Sequence, residues 1–249
     1  MNPRRLADSP AGLGDVAYTG EMGTSLSHRK PLDVTGVGIT QAELPPVSTA
    51  GQPQPLDLDA WFDPSRRGRQ LELEIGSGKG TFLVQAAGGE DGQGANYIGI
   101  EWAKAFWRHA ADRVRRHGLT NVRLLHTEAG AFVRQYCGDA VFRTVHIYFP
   151  DPWPKARHHK RRLVQAPFLR ELHRVLTPDG CVRLATDHAD YFAWMQDHTA
   201  QVADLFTIEP FDADHAQPGE LVGTNFERKY RREGRTFHAM TLRKRATAS

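Results

Sequence analysis

The chain has 249 residues, of which 40% are hydrophobic and 24% charged, with a net charge of +3. That length fills one large α/β domain or two small ones, and no apolar run approaches the roughly 20 residues of a membrane span. Two cysteines, Cys137 and Cys181, are too few for a disulfide framework and lack metal-ligand spacing, so each is expected as a small buried residue.

Residues 1 to about 55 are rich in Gly, Pro, Ser and Thr and show little periodicity. No apolar secretory stretch follows Arg4 and Arg5, so a cytoplasmic location is expected. A segment of this kind buries too little apolar surface to offset its ordering entropy. We read residues 1–55 as a flexible extension and residues 56–249 as the folded domain.

From Leu71 the pattern changes. A strand over Leu71–Ile75 runs into the turn Gly76-Ser77-Gly78-Lys79-Gly80, and a helix follows over Thr81–Ala87. Strand Asn96–Glu101 leads to helix Ala103–His117, closed by Gly118. Strand Val122–His126 leads to helix Ala129–Tyr136. Strand Thr144–Phe149 leads, after a basic loop, to a helix over Pro167–Leu176. Pro178-Asp179-Gly180 turns the chain into strand Cys181–Thr186, and a helix over Ala189–Ala200 follows. Strand and helix alternate about five times, the pattern of a parallel sheet covered on both faces. Leu205–Glu209 and Thr236–Leu242 add two last strands, which permits an antiparallel edge. The expectation is a seven-stranded, mostly parallel α/β sheet of Rossmann-like type.

The glycine turn admits three readings. A phosphate-binding P-loop fails, because Leu73 stands where its first glycine is required and Gly80 follows Lys79. A dinucleotide site matches Gly76 and Gly78, but the third glycine comes one position early. The third reading rests on Glu74, two residues before Gly76. A carboxylate there repels a pyrophosphate and attracts the cationic amino-acid end of S-adenosylmethionine. Glu101, closing the second strand, is placed to accept hydrogen bonds from two ribose hydroxyls, and Glu128, after the third, to receive an adenine amino group. Glu72 is read as a strand residue with no ligand role.

The fourth strand opens into Pro150-Asp151-Pro152-Trp153-Pro154-Lys155, where three prolines stiffen the backbone around Asp151. Lys155, Arg157, Lys160, Arg161 and Arg162 follow within eight positions, and a second basic cluster lies near the C-terminus. Charge alone does not separate a polyanionic partner from a solvated face. His158 and His159 are adjacent in the loop and lack a ligand partner at metal spacing.

Glu74-Ile75-Gly76-Ser77-Gly78-Lys79-Gly80, Ile98-Gly99-Ile100-Glu101 and the run PDPWPKARHHKRRLVQAPF together resemble the bacterial tRNA (guanine-N7-)-methyltransferase family. Ala185-Thr186-Asp187 and Thr224-Asn225-Phe226-Glu227 add to the likeness, which covers the chain from about Leu71 onward. The resemblance implies a class I methyltransferase fold and methyl transfer from S-adenosylmethionine to a guanosine in the tRNA variable loop; from the spacing of His158 and His159 no metal is expected. It implies that Glu74, Glu101, Glu128 and Asp151 contact or border the cofactor, and the glycine turn, read above as the ligand-binding turn, adds Gly76 and Gly78 to that site. It further implies that Lys155, Asp187, Thr224, Asn225, Phe226 and Glu227 contact the substrate, and that Arg157, Lys160, Arg161 and Arg162 touch RNA. Where the family often carries Asp, this chain has Glu128. On this basis Asp151 is expected as the catalytic carboxylate, with Asp187 or Glu227 holding the guanine edge. Trp153 is left as either a base-stacking or a loop-packing aromatic.

Overall fold

The computed structural model describes residues 31–47, 54–89, 91–211 and 237–246. Eight strands form one sheet: β1 (Gly38–Thr40), β2 (Gln70–Ile75), β3 (Ala95–Ile100), β4 (Val122–His126), β5 (Phe142–Tyr148), β6 (Leu176–Thr186), β7 (Phe206–Pro210) and β8 (His238–Lys244). Among the described residues five α-helices accompany them: α1 (Thr81–Gly88), α2 (Lys104–Arg116), α3 (Ala129–Tyr136), α4 (Ala166–Val175) and α5 (Ala189–Ala200). Among the described residues no helix is long and apolar enough to cross a membrane.

Alternation sets the two faces of β2. Leu71, Leu73 and Ile75 point into a core shared with Val145, Ile147, Val182 and Leu184 and covered by α3, α4 and α5. The opposite face packs Tyr97, Leu124, Tyr148 and Ala185 against Phe82 and Leu83 of α1 and Trp107, Ala110 and Val114 of α2. Helix α2 buries Trp107, Ala110, Ala111 and Val114 at a spacing of three and four, so one stripe faces the sheet. Its last turn carries Arg113, Arg115 and Arg116, which complement the helix dipole. Cys137 and Cys181 are both buried, and burial pushes the Cys137 thiol up to about 12.

The strand order is β1-β4-β3-β2-β5-β6-β8-β7. Every pairing is parallel except those of β8, which inserts antiparallel between β6 and β7. The reversed strand is therefore internal, and the edge β7 runs with the others. The sheet also has one strand more than the expected seven. Strand β1 lies within the stretch 1–55 read as an extension, and it pairs with β4 from Gly38↔Leu124 to Thr40↔His126. Three residues are too short for alternation to register in a sequence. Gly38 is required there, since a Cβ would lie 2.8 Å from the Trp107 ring. Asp33 adds an ion pair to Arg115 at 3.1 Å, and its N–H donates to Asp112. Residues 1–30 lie outside the described residues.

Helix α1 begins at Gly80, whose φ is +70° and whose missing Cβ would meet the Ala110 Cβ at 3.0 Å. Glycine thus serves both the left-handed backbone and the close approach of α1 to α2. Gly80→Ala is expected to cost roughly 2 kcal/mol and lower Tm by roughly 4–8 °C. Thermal unfolding reads this, and an unchanged Tm would show that the two helices separate freely.

Candidate functional site

The chain winds from β2 outward through β3 to β4, then crosses to the other side of β2 to lay down β5 and β6. The strand order reverses between β2 and β5, and open α/β sheets bind ligands in the crevice at the carboxyl ends of such strands. Register brings the expected acidic residues to this edge. Ile75 is paired with Ile100 on one side and Ile147 on the other, so Gly76 stands between Glu101 and Tyr148. Ile100 pairs with Leu125, which places Glu128 just beyond the end of β4. Tyr148 pairs with Ala185, so Asp151 and Asp187 leave adjacent strands.

The glycine turn has φ of +81° at Gly76 and +53° at Gly78, a region that only glycine enters freely. A Cβ on either glycine would meet nothing within 4 Å, so the turn is open above its backbone. The N–H groups of Gly76 and Ser77 both donate to Ile100 O, at 2.8 and 3.0 Å. Glu101 completes the bracing. One carboxylate oxygen accepts from Gly78 N at 2.8 Å, the other from Ala103 N at 2.7 Å. Each oxygen keeps a second lone pair for a ligand hydroxyl.

Glu74 is different in kind. It is 5% exposed, and its Oε2 has no hydrogen-bond partner among the described residues. Burial and the nearby Glu101 carboxylate push its pKa up to about 8. A buried, unpartnered carboxylate oxygen is costly, and a cationic donor arriving in the crevice would satisfy it. The same strand face carries Glu72, whose carboxylate lies 2.8 Å from His146 Nε2, while His146 Nδ1 lies 2.9 Å from the Tyr148 hydroxyl. Glu72 therefore has a structural partner, as its reading as a strand residue requires.

Glu128 is exposed and caps α3, accepting from Gly130 N at 2.7 Å and Ala131 N at 2.6 Å. Sequence reasoning gave this side chain only a ligand role. The cap was hidden because Glu is not among the favoured N-cap residues. Beside Glu101, Trp102 is 68% exposed, a large aromatic at the crevice that the sequence reading did not single out.

Beyond β5 the backbone turns sharply. Phe149 has φ +52° and Trp153 φ +44°, two left-handed non-glycine residues that bracket Pro150, Asp151 and Pro152. Such conformations cost about 1–3 kcal/mol each and persist only where the surroundings enforce them. Phe149 N donates to Ala185 O at 2.8 Å, which fixes the start of the turn to β6. Asp151 is exposed at its apex. Trp153 is half-buried, with the Arg161 guanidinium 5.0 Å from its ring and His158 edge-on at 5.9 Å. His159 packs edge-on to Trp194 at 5.6 Å. Both histidines and Trp153 are thus built into the packing of the loop.

Of the four residues expected to touch RNA, Arg157, Lys160 and Arg161 are exposed, as is Lys155. Arg162 requires a correction. It is 1% exposed, and its side chain is enclosed by Tyr191 and Trp194, with the guanidinium 5.0 and 5.2 Å from their rings. In this conformation no phosphate reaches it. A run of basic residues carries no signal of which one turns inward. Asp187 is half-buried at the end of β6. Thr224, Asn225, Phe226 and Glu227 lie outside the described residues. The chain re-enters the sheet at His238, paired with Thr186 and so next to Asp187.

This sheet order, with its glycine turn and acidic side chains gathered at the switch point, defines a class I methyltransferase fold. The same fold is seen in the 16S rRNA methyltransferase KamB, at a TM-score of 0.52 and 14% identity over 75% of this chain and 95% of that one. The family model described as "Putative methyltransferase" matches residues 68–240. A tRNA (guanine-N(7)-)-methyltransferase of Alkalilimnicola ehrlichii is 38% identical over 77% of this chain and 78% of its own length. Its counterpart in Halorhodospira halophila is 36% identical over 76% of this chain and 80% of its own length. The chain belongs to the tRNA (guanine-N(7)-)-methyltransferase family.

Proposed function

We propose that this protein transfers the methyl group of S-adenosylmethionine to N7 of a guanosine in the variable loop of tRNA. The observation that carries this reading is the unpartnered, buried Glu74 carboxylate under an open glycine turn, directly across the switch point from the loop that presents Asp151. Glu74 fits the ammonium end of an amino acid, since a cation both satisfies Oε2 and offsets the repulsion from Glu101. Glu101 fits a ribose diol with its remaining lone pairs. The exposed Trp102 beside it offers a stacking face for a base. Bound here, S-adenosylmethionine supplies a methyl group on an electron-poor sulfur.

Guanine N7 carries a lone pair and no proton at neutral pH, so no strong general base is needed. The protein's work is to align N7 with the methyl group and to exclude competing geometries. Positive charge passes to the purine ring as transfer proceeds. Asp151, held on a proline-stiffened apex, stabilises that charge electrostatically. Asp187 or Glu227 accepts from the N1–H and amino edge of guanine.

Lys155, Arg157 and Lys160 form the exposed phosphate-binding surface of the same loop. Replacing all three with alanine is expected to raise the tRNA KM and to reduce the slope of log affinity against log salt by about 2–3. An unchanged slope rejects an RNA contact there. The direct test of function is methyl transfer to unmodified tRNA, followed by digestion to nucleosides. The expected product is 7-methylguanosine, and a base methylated on an exocyclic amino group overturns the N7 assignment.

A further inference from the structure

Arg162 is the one member of the loop's basic run that is enclosed, and a buried guanidinium is costly unless its donors are used. Its Nε donates to Pro152 O at 2.9 Å and one terminal nitrogen donates to the Asp190 carboxylate, while Nη1 has no hydrogen-bond partner among the described residues. Asp190, Tyr191 and Trp194 line one side of α5, and the two rings enclose the guanidinium. The loop is closed further by Gln165 Nε2, which donates to Arg162 O at 2.6 Å, and by Trp194 Nε1, which donates to Val164 O at 2.8 Å.

What this arrangement joins is informative. Pro152 follows Asp151 directly and lies between the two left-handed residues, Phe149 and Trp153. Three prolines leave this segment without the N–H donors that ordinarily hold a turn. On the other side, α5 begins two residues after Asp187, with His188 as its cap. The guanidinium therefore bridges the loop that presents Asp151 and the helix that follows Asp187.

We propose that Arg162 is a positioning residue, which ties the Pro152 carbonyl to Asp190 of α5 and so sets Asp151 and Asp187 in a fixed relation at the crevice. It acts through these carboxylates and touches neither RNA nor cofactor. The inference rests on the reading of Asp151 as the carboxylate that stabilises methyl transfer.

The test uses the full-length protein with Arg162→Met, Arg162→Lys and Asp190→Asn, beside Asp151→Ala. Asp190 is largely exposed, so its amide variant probes the bridge even where Arg162→Met unfolds. For Arg162→Met the expected result is a fall in kcat of about a hundredfold. Affinity for S-adenosylmethionine stays within about threefold by calorimetry, and the salt slope of tRNA binding is unchanged. Arg162→Lys, which keeps the charge but not the planar fork, recovers part of the loss, and Asp190→Asn loses several-fold in kcat. Combined with Asp151→Ala, Arg162→Met adds no further loss, because the two act as one unit. A reduced salt slope in Arg162→Met overturns the proposal in favour of a phosphate contact. Equal losses of cofactor affinity and kcat, or a wild-type rate in Asp190→Asn, overturn it in favour of a general folding role. A wild-type rate in Asp151→Ala instead refutes the reading of Asp151, whatever Arg162 does.

Discussion

Asp151→Ala is expected to lower kcat for methyl transfer by about 100- to 1000-fold, the scale of removing one preorganised electrostatic contact from a transition state. Binding of tRNA, measured by titration at fixed salt, should stay close to wild type. The side chain is exposed at the apex of its turn and takes no part in the buried packing that holds the loop. The backbone is held instead by Phe149 N on Ala185 O and by Arg162 on Pro152 O. Deleting one carboxylate should therefore leave the loop in place. Asp151→Asn separates charge from shape: it keeps the size and one acceptor, and its rate should fall with that of alanine if charge is what matters. A variant that methylates tRNA at the wild-type rate removes Asp151 from the reaction.

The second large effect concerns Glu74 and carries a sign that an ordinary binding residue would not. Its pKa is raised to about 8, chiefly by burial and then by Glu101, above the usual carboxylate value near 4.5. A group whose folded pKa lies above its unfolded one contributes fully below the unfolded value. That contribution is lost as pH rises through the folded value. The ligand-free protein should therefore be weakened by Glu74 increasingly from about pH 4.5 to about pH 8. Glu74→Gln should raise the stability of the ligand-free protein at pH 8 by on the order of 3 kcal/mol and have little effect near pH 4. The same variant should bind S-adenosylmethionine on the order of a hundredfold more weakly. Wild-type affinity should climb with pH up to about 8, with a proton released on binding near neutrality. Denaturant titrations at two pH values, with calorimetry in buffers of different ionisation enthalpy, read both halves. A Glu74→Gln protein less stable than wild type at pH 8 would show that the carboxylate is already satisfied without ligand.

Much of the sheet was legible from periodicity. The extents of β4, α3 and α5 match their expected ranges, and β2, β3 and β5 shift by one or two residues. The helices announce themselves because each buries one face with a regular period, whereas the inner strands, such as β3 with all six residues buried, stand out as short apolar runs between turn signals. Strand β1 does not, because three residues contain no period, and its pairing is set by Gly38 lying against Trp107. At the site, the carboxylates at the strand ends were legible because position along a parallel strand determines which end reaches the crevice. Burial was not. Glu74 and Glu101 look alike in sequence, yet Glu101 is braced by two backbone donors and Glu74 Oε2 has none. Arg161 and Arg162 are neighbours of one type, yet one covers Trp153 from outside and the other fills a slot in α5. The slot is built from residues nearly thirty positions away, Asp190 to Trp194, and local charge patterning carries no information at that range.

The insertion of β8 between β6 and β7 has a consequence for how the molecule is made. Strand β7 leaves the ribosome before β8, yet its pairing partner in the sheet is β8. Until β8 arrives, β6 presents a bare hydrogen-bonding edge and β7 lacks its pairing partner. The sheet is thus finished from the inside by a late, non-local step, in the class of contacts that slow folding and expose strands to aggregation. That closing step also brings His238 alongside Thr186, so the end of the crevice at Asp187 is assembled in the same event that completes the sheet.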